Sequence, residues 1–263
     1  MVQLHNDLGD SASDSNQYLL SFDRGEHGRA IVSDGNPDTA ENVVTMIPGT
    51  NTTMKSITGQ MDYAGSVAAE ADRRGDEGAT AVISWIGYDA PEDKEAVSDN
   101  SAENATADLS TFQDGLRATH EGTTPSHNSV IGHSYGSTVL GHTATSEHGL
   151  DADELILVGS PGTSVDNAHE LGFAPENVHS TTAENDHINA WWVAVHGQDP
   201  TSEEFGATTF DSNPGPATGG YFFGDAHKQD EYFKEIYEDE ELDHDPLTHI
   251  GGIIVGNNPA TDQ

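Results

Sequence analysis

The amino-acid sequence predicts an α/β fold: a mostly parallel central sheet with helices on both faces and an N-terminal β-hairpin. Three observations predict it. Short apolar runs closed by glycine, proline or asparagine recur along the 263 residues. Between them lie segments with apolar residues at helical spacing. One run leads directly into Gly132-His133-Ser134-Tyr135-Gly136, a G-x-S-x-G pattern suited to a sharp strand-to-helix turn. Strands that alternate with helices build parallel sheets covered on both faces.

The elements follow in order. Residues 1–16 are polar and are read as a flexible N-terminus, with residues 17–263 as one domain. Residues 18–22 and 29–33 alternate around a glycine-containing turn, which predicts a hairpin. "NVVTMIPGTN" is a buried strand with a Pro-Gly stop. Ile57, Met61, Ala64, Ala68 and Ala71 form a helical stripe, and "ATAVISWIGYDAPE" is the next buried strand. Residues 89–110 read as a polar, solvated loop. "TADLSTFQDGLRATH" places Leu109, Phe112 and Leu116 on one side of a helix. "NSVIGHSYG" is a strand entering the turn, "STVLGHTATSEHG" the helix leaving it, and "DELILVGSPG" a further strand. "SVDNAHELG" is a short helix stopped by Gly172, and "NVHSTTAENDHI" is a strand with its exit loop.

The formal charge is −37, from 46 acidic and 9 basic residues. The acids are scattered through loops and helices. That pattern fits a solvated, salt-adapted surface better than disorder or a nucleic-acid mimic that binds basic partners. No basic stripe exists, so nucleic acid is excluded as a partner. Cysteine is absent, which excludes thiolate catalysis, disulfides and cysteine zinc sites. The first residues lack the basic and apolar regions of a signal peptide, and no apolar run approaches the length of a membrane span. "YEDEELDHDPLTH" is rich in carboxylates and histidine but lacks calcium- or zinc-ligand spacing, so no metal is expected there.

In a parallel sheet, ligands gather at the C-terminal ends of the strands. Those ends carry Gly49-Thr50-Asn51, Tyr88-Asp89, Ser134, Ser160 and Glu184-Asn185-Asp186. A serine hydroxyl is a weak nucleophile and needs a histidine base, itself oriented by a carboxylate. Around a G-x-S-x-G turn, the acid and then the histidine follow the serine along the chain. Asp186 is the preferred acid because it lies just past a strand at the sheet edge that carries Ser134; Glu184 and Asp199 are its rivals. The later histidines are His187, His196, His227, His244 and His249. His187 adjoins the acid and is badly placed for a relay, and position alone leaves His227 and His249 open. An oxyanion needs two backbone N–H donors, assigned to Tyr135 and to Thr50 or Asn51. Trp191 and Trp192 are candidates for an acyl pocket or for core packing. Ser160 in "GSPG" lacks the elbow pattern and is read as a packing residue.

"IPGTN", "VIGHSYGSTVLG", "LILVGSPG" and "HGQDP" followed by "FGATTF" together resemble a family of bacterial α/β hydrolases whose members mostly have no assigned function. The resemblance runs from about Tyr18 to Gly256. It implies the α/β-hydrolase fold and a serine nucleophile. A late family motif, H-x-x-x-x-Y-F, is matched by "HKQDEYF" and favours His227 as the base.

The expectation is a serine hydrolase, a carboxylesterase on short-acyl esters using Ser134, Asp186 and His227, with no cofactor. The alternatives are a lipase, thioesterase or peptidase of the same fold, or a non-catalytic binding domain.

Overall fold

A computed structural model describes residues 16–25, 27–188, 195–217, 225–234 and 245–257. The expected flexible N-terminus (all but Asn16), Trp191, Trp192, His244 and much of the acidic stretch before Pro246 lie outside these residues.

The chain builds an eight-stranded sheet: β1 (Gln17–Asp23), β2 (Arg29–Asp34), β3 (Asn42–Ile47), β4 (Thr80–Ile86), β5 (His127–His133), β6 (Glu154–Val158), β7 (Val178–Thr181) and β8 (Thr208–Thr209). Their spatial order is β1-β2-β4-β3-β5-β6-β7-β8. The expected hairpin is β1–β2, joined antiparallel to β4, and every other pairing is parallel.

Parallel strands need crossovers, and helices supply them. The chain makes α1 (Ile57–Arg74), α2 (Asn100–Thr119) and α3 (Tyr135–Ala144), then α4 (Asp230–Phe233) and α5 (Pro246–Ile254). Successive strand residues face opposite sides, so each parallel strand feeds two cores. Val43, Ile47, Ile83 and Trp85 pack with Leu109 of α2 and Leu140 of α3. Val44, Met46, Val82 and Ile131 pack with Val67 of α1 and Ile250 of α5.

Three details differ from the sequence expectation. Helix α2 begins at Asn100, inside the segment expected to be a loop, because Ala102 and Ala105 continue the buried face of Leu109. The stripe on α1 is centred on Gln60, Ala64 and Val67, leaving Met61 and Ala68 at its flank. The expected short helix before Gly172 is a single 3-10 turn, Ala168–Leu171, closed by Gly172 in the left-handed conformation. In the described residues no helix is long and apolar enough to cross a membrane.

Candidate active site

Register brings the chemistry together. Ile47 pairs with Gly132, His133 with Val158, and Val158 with Thr181, so four central strands end level at one edge of the sheet. The loop 48–51, Ser134, the "GSPG" segment and the loop bearing Asp186 all leave from that edge.

Ser134 sits between β5 and α3 with φ 54° and ψ −130°, a left-handed backbone that a non-glycine residue adopts only under constraint. Its flanking glycines have steric causes. A Cβ on Gly132 would lie 2.6 Å from Ser137 Cα, and one on Gly136 would collide with the Ile47 carbonyl. The Ser134 N–H donates to the Val158 carbonyl at 3.0 Å. Ser137 Oγ, 2.6 Å from Ser160 Oγ, donates to the Ser134 carbonyl at 2.6 Å. Ser160 is therefore a buried support behind the turn.

His227 Nε2 lies 2.8 Å from Ser134 Oγ, and His227 Nδ1 lies 2.8 Å from Asp186 Oδ2. A carboxylate only accepts, so Nδ1 carries the proton and Nε2 is left to accept from the serine hydroxyl. The Asp186 side chain is fully buried, whereas that of His227 keeps 12% exposure toward the cleft. Burial alone pushes the Asp186 carboxyl up. The His227 hydrogen bond and charge, the Tyr232 hydroxyl and the Ile188 N–H outweigh it and hold the carboxyl below its ordinary value.

The other candidates fall elsewhere. Glu184 and His187 are exposed. Asp199 Oδ1 accepts from Thr201 N and Oγ1. His249 packs on Phe210. His196 is buried, with its ring nitrogens 2.6 Å from Asp99 Oδ1 and 2.6 Å from the Ala96 carbonyl.

The two oxyanion candidates on the β3 exit separate. The Asn51 N–H donates to the Pro91 carbonyl at 2.9 Å, so it is spoken for. Neither the Thr50 nor the Tyr135 N–H donates to a described residue. Gly49 brings this loop against the serine: a Cβ there would lie 2.7 Å from Ser134 Cβ. The cleft between loop and serine has a volume of about 350 Å³ and includes Thr50, Ser134, His227 and Gln229.

Five supporting residues had not been singled out from sequence. Tyr232 Oη donates to Asp186 Oδ2 at 2.7 Å and accepts from the Ala183 N–H at 3.0 Å; its signal was the tyrosine of the H-x-x-x-x-Y-F motif. His133 Nε2 lies 3.1 Å from the His227 carbonyl, to which it donates. Burial, then the neighbouring His227, pushes the His133 pKa down to about 3, so it is neutral at working pH. Gly159 of "GSPG" has φ 52°, and a Cβ there would lie 3.1 Å from Asp186 Oδ2. Gln60 and Gln229 exchange reciprocal amide hydrogen bonds, tying the segment after His227 to α1. Among the described residues no group of three or more His, Asp or Glu side chains is placed to hold a metal ion.

The fold and the serine on its constrained turn define a class, and sequence comparison agrees with it. A family model described as alpha/beta hydrolase matches residues 23–195. The chain belongs to that family. The matched region contains Ser134 and Asp186 and stops before His227. The chain is 35% identical over 189 residues to the uncharacterized protein Rv0963c of Mycobacterium tuberculosis, covering 69% of this chain and 66% of that one. It is 36% identical over 169 residues to the uncharacterized protein Rv2079 of the same organism, covering 61% of this chain and 26% of that one. The chain therefore spans less than two thirds of the length of these curated relatives. A solved arylesterase structure superposes with a TM-score of 0.51 at 9% identity, over 98% of this chain and 93% of the other, which is a likeness of fold.

Proposed function

We propose that the protein is a serine hydrolase, a salt-adapted carboxylesterase acting on short-acyl esters. One observation carries the reading: an unbroken hydrogen-bonded path from a buried carboxylate through an imidazole to a serine hydroxyl, with 2.8 Å at each step. Ser134 Oγ attacks the acyl carbon while its proton passes to His227 Nε2. Asp186 fixes the imidazole tautomer and stabilises the imidazolium. The Tyr135 and Thr50 N–H groups receive the oxyanion. The protonated His227 then gives its proton to the leaving alcohol. In the second half, His227 takes a proton from water as that water attacks the acyl-enzyme. The reaction ends with the carboxylic acid released and Ser134 restored.

The cleft of about 350 Å³ favours small acyl groups. The charge of −37 supports salt adaptation, because self-repulsion fades as salt screens it. The test is hydrolysis of p-nitrophenyl esters from C2 to C12 in low and molar salt, beside Ser134→Ala. Activity concentrated at short chains and lost in the variant is expected. Turnover that survives Ser134→Ala would sink the reading.

A further inference from the structure

The β3 exit loop has a problem that its own sequence does not solve. Gly49 is needed for close approach to Ser134, yet glycine leaves the backbone most free to move. The next donor, Thr50, must hold a fixed direction for its N–H to serve an oxyanion. Asn51 adds strain, with φ 58°. The order comes from outside the loop, from residues 88–98. The Tyr88 hydroxyl donates to the Pro48 carbonyl at 2.7 Å. The Pro91 carbonyl takes the Asn51 N–H. Asp93 Oδ1 accepts from Thr50 Oγ1 at 3.1 Å and from Asn51 Nδ2 at 2.5 Å. Asp93 also lines the cleft that holds Ser134 and His227. The same segment reaches the second donor residue, because the Tyr135 hydroxyl donates to the Ser98 carbonyl at 2.6 Å.

We propose that Asp93 is a positioning residue for the oxyanion loop: one carboxylate oxygen fastens the side chains of Thr50 and Asn51 and so aims the Thr50 N–H at the developing charge. This rests on the serine-hydrolase reading. Asp93 acts through the Thr50 N–H, which meets charge that develops only in the transition state, so its loss should lower kcat more than it raises KM.

The test compares wild type, Asp93→Ala and Asp93→Asn by steady-state kinetics on p-nitrophenyl acetate, labelling of Ser134 by a fluorophosphonate, and thermal melting. An asparagine oxygen can still accept both hydrogen bonds, whereas alanine accepts none. For Asp93→Ala, kcat falls about tenfold or more and labelling slows in parallel, while KM stays within about threefold and the melting temperature is unchanged. Asp93→Asn recovers most of the lost kcat. An alanine variant within twofold of wild type, an asparagine variant no better than alanine, or a loss that tracks a lowered melting temperature would each overturn the proposal. Failure of the wild type itself to label at Ser134 would overturn the hydrolase reading, and this proposal with it.

Discussion

Tyr232 and His227 converge on a single atom: Asp186 Oδ2 accepts the Tyr232 hydroxyl at 2.7 Å and His227 Nδ1–H at 2.8 Å. The tyrosine thereby fixes which carboxylate oxygen faces the imidazole. Because Tyr232 Oη also accepts from the Ala183 N–H, it fastens the acid loop to α4.

Tyr232→Phe removes a donor to a buried carboxylate and strands the Ala183 N–H. A stability loss of about 1–3 kcal/mol follows from the unsatisfied buried groups. Ester hydrolysis should fall by about tenfold as Asp186 loses its fixed orientation. Urea unfolding and kcat/KM, measured on the same preparation, check both.

His133 makes the protein acid-sensitive in a defined window. Its folded pKa is depressed to about 3 from an ordinary 6.5. Below pH 6.5 the unfolded chain takes up a proton that the folded chain refuses. The stability conferred by neutral His133 is thus fully present above 6.5 and is lost as pH falls toward 3. The depressed Asp186 carboxyl has the same sign but acts lower, below its ordinary 3.8. His133→Gln, which keeps a donor for the His227 carbonyl, should flatten the stability profile between pH 6.5 and pH 4 by on the order of 3 kcal/mol. Urea midpoints across that range, compared between the two proteins, give the answer.

Two glycines separate steric need from helix cost. A methyl group on Gly136 would collide with the Ile47 carbonyl, whereas one on Gly115 in α2 meets nothing within 4 Å. Gly136→Ala should destabilise by about 3 kcal/mol or more and distort the serine turn. Gly115→Ala should stabilise by about 0.5–1 kcal/mol. Thermal melts of both variants test the contrast.

With 46 acids against 9 bases, the folded chain should gain stability as salt rises. The Debye length shrinks from about 10 Å at 0.1 M to about 3 Å at 1 M, which removes most repulsion between surface carboxylates. The melting temperature should rise steeply in potassium chloride over that range and level off above it. A flat or falling curve would argue against salt adaptation.

The core strands and the serine turn were legible because both are local: five apolar runs, and two glycines whose neighbours leave no room for a side chain. Asp186 and His227 were reachable by chain order and by the Tyr-Phe pair after the histidine. Less was legible where long-range packing decides. Residues 100–105 are small and polar enough to read as a loop, and only the contact of Ala102 and Ala105 with the core makes them helix. Strand β8 is two residues long, too short for any alternation to show. Helix α5 is apolar on most sides and contains two glycines, so its sequence has no clear helical period. The engagement of the Asn51 N–H by Pro91, and the grip of Asp93 on the same loop, join segments some 40 residues apart, as their hydrogen bonds record. Nothing in either segment alone announces that contact.

Trapping the acyl-enzyme shows whether Ser134 is the nucleophile. The protein is mixed with p-nitrophenyl acetate at molar salt, quenched in acid and mapped by peptide mass spectrometry. A burst of nitrophenolate equal to the enzyme present and an acetyl group on the peptide carrying Ser134 are expected, both absent in Ser134→Ala. A burst that persists in the variant, or an acetyl group found at another residue, would contradict it.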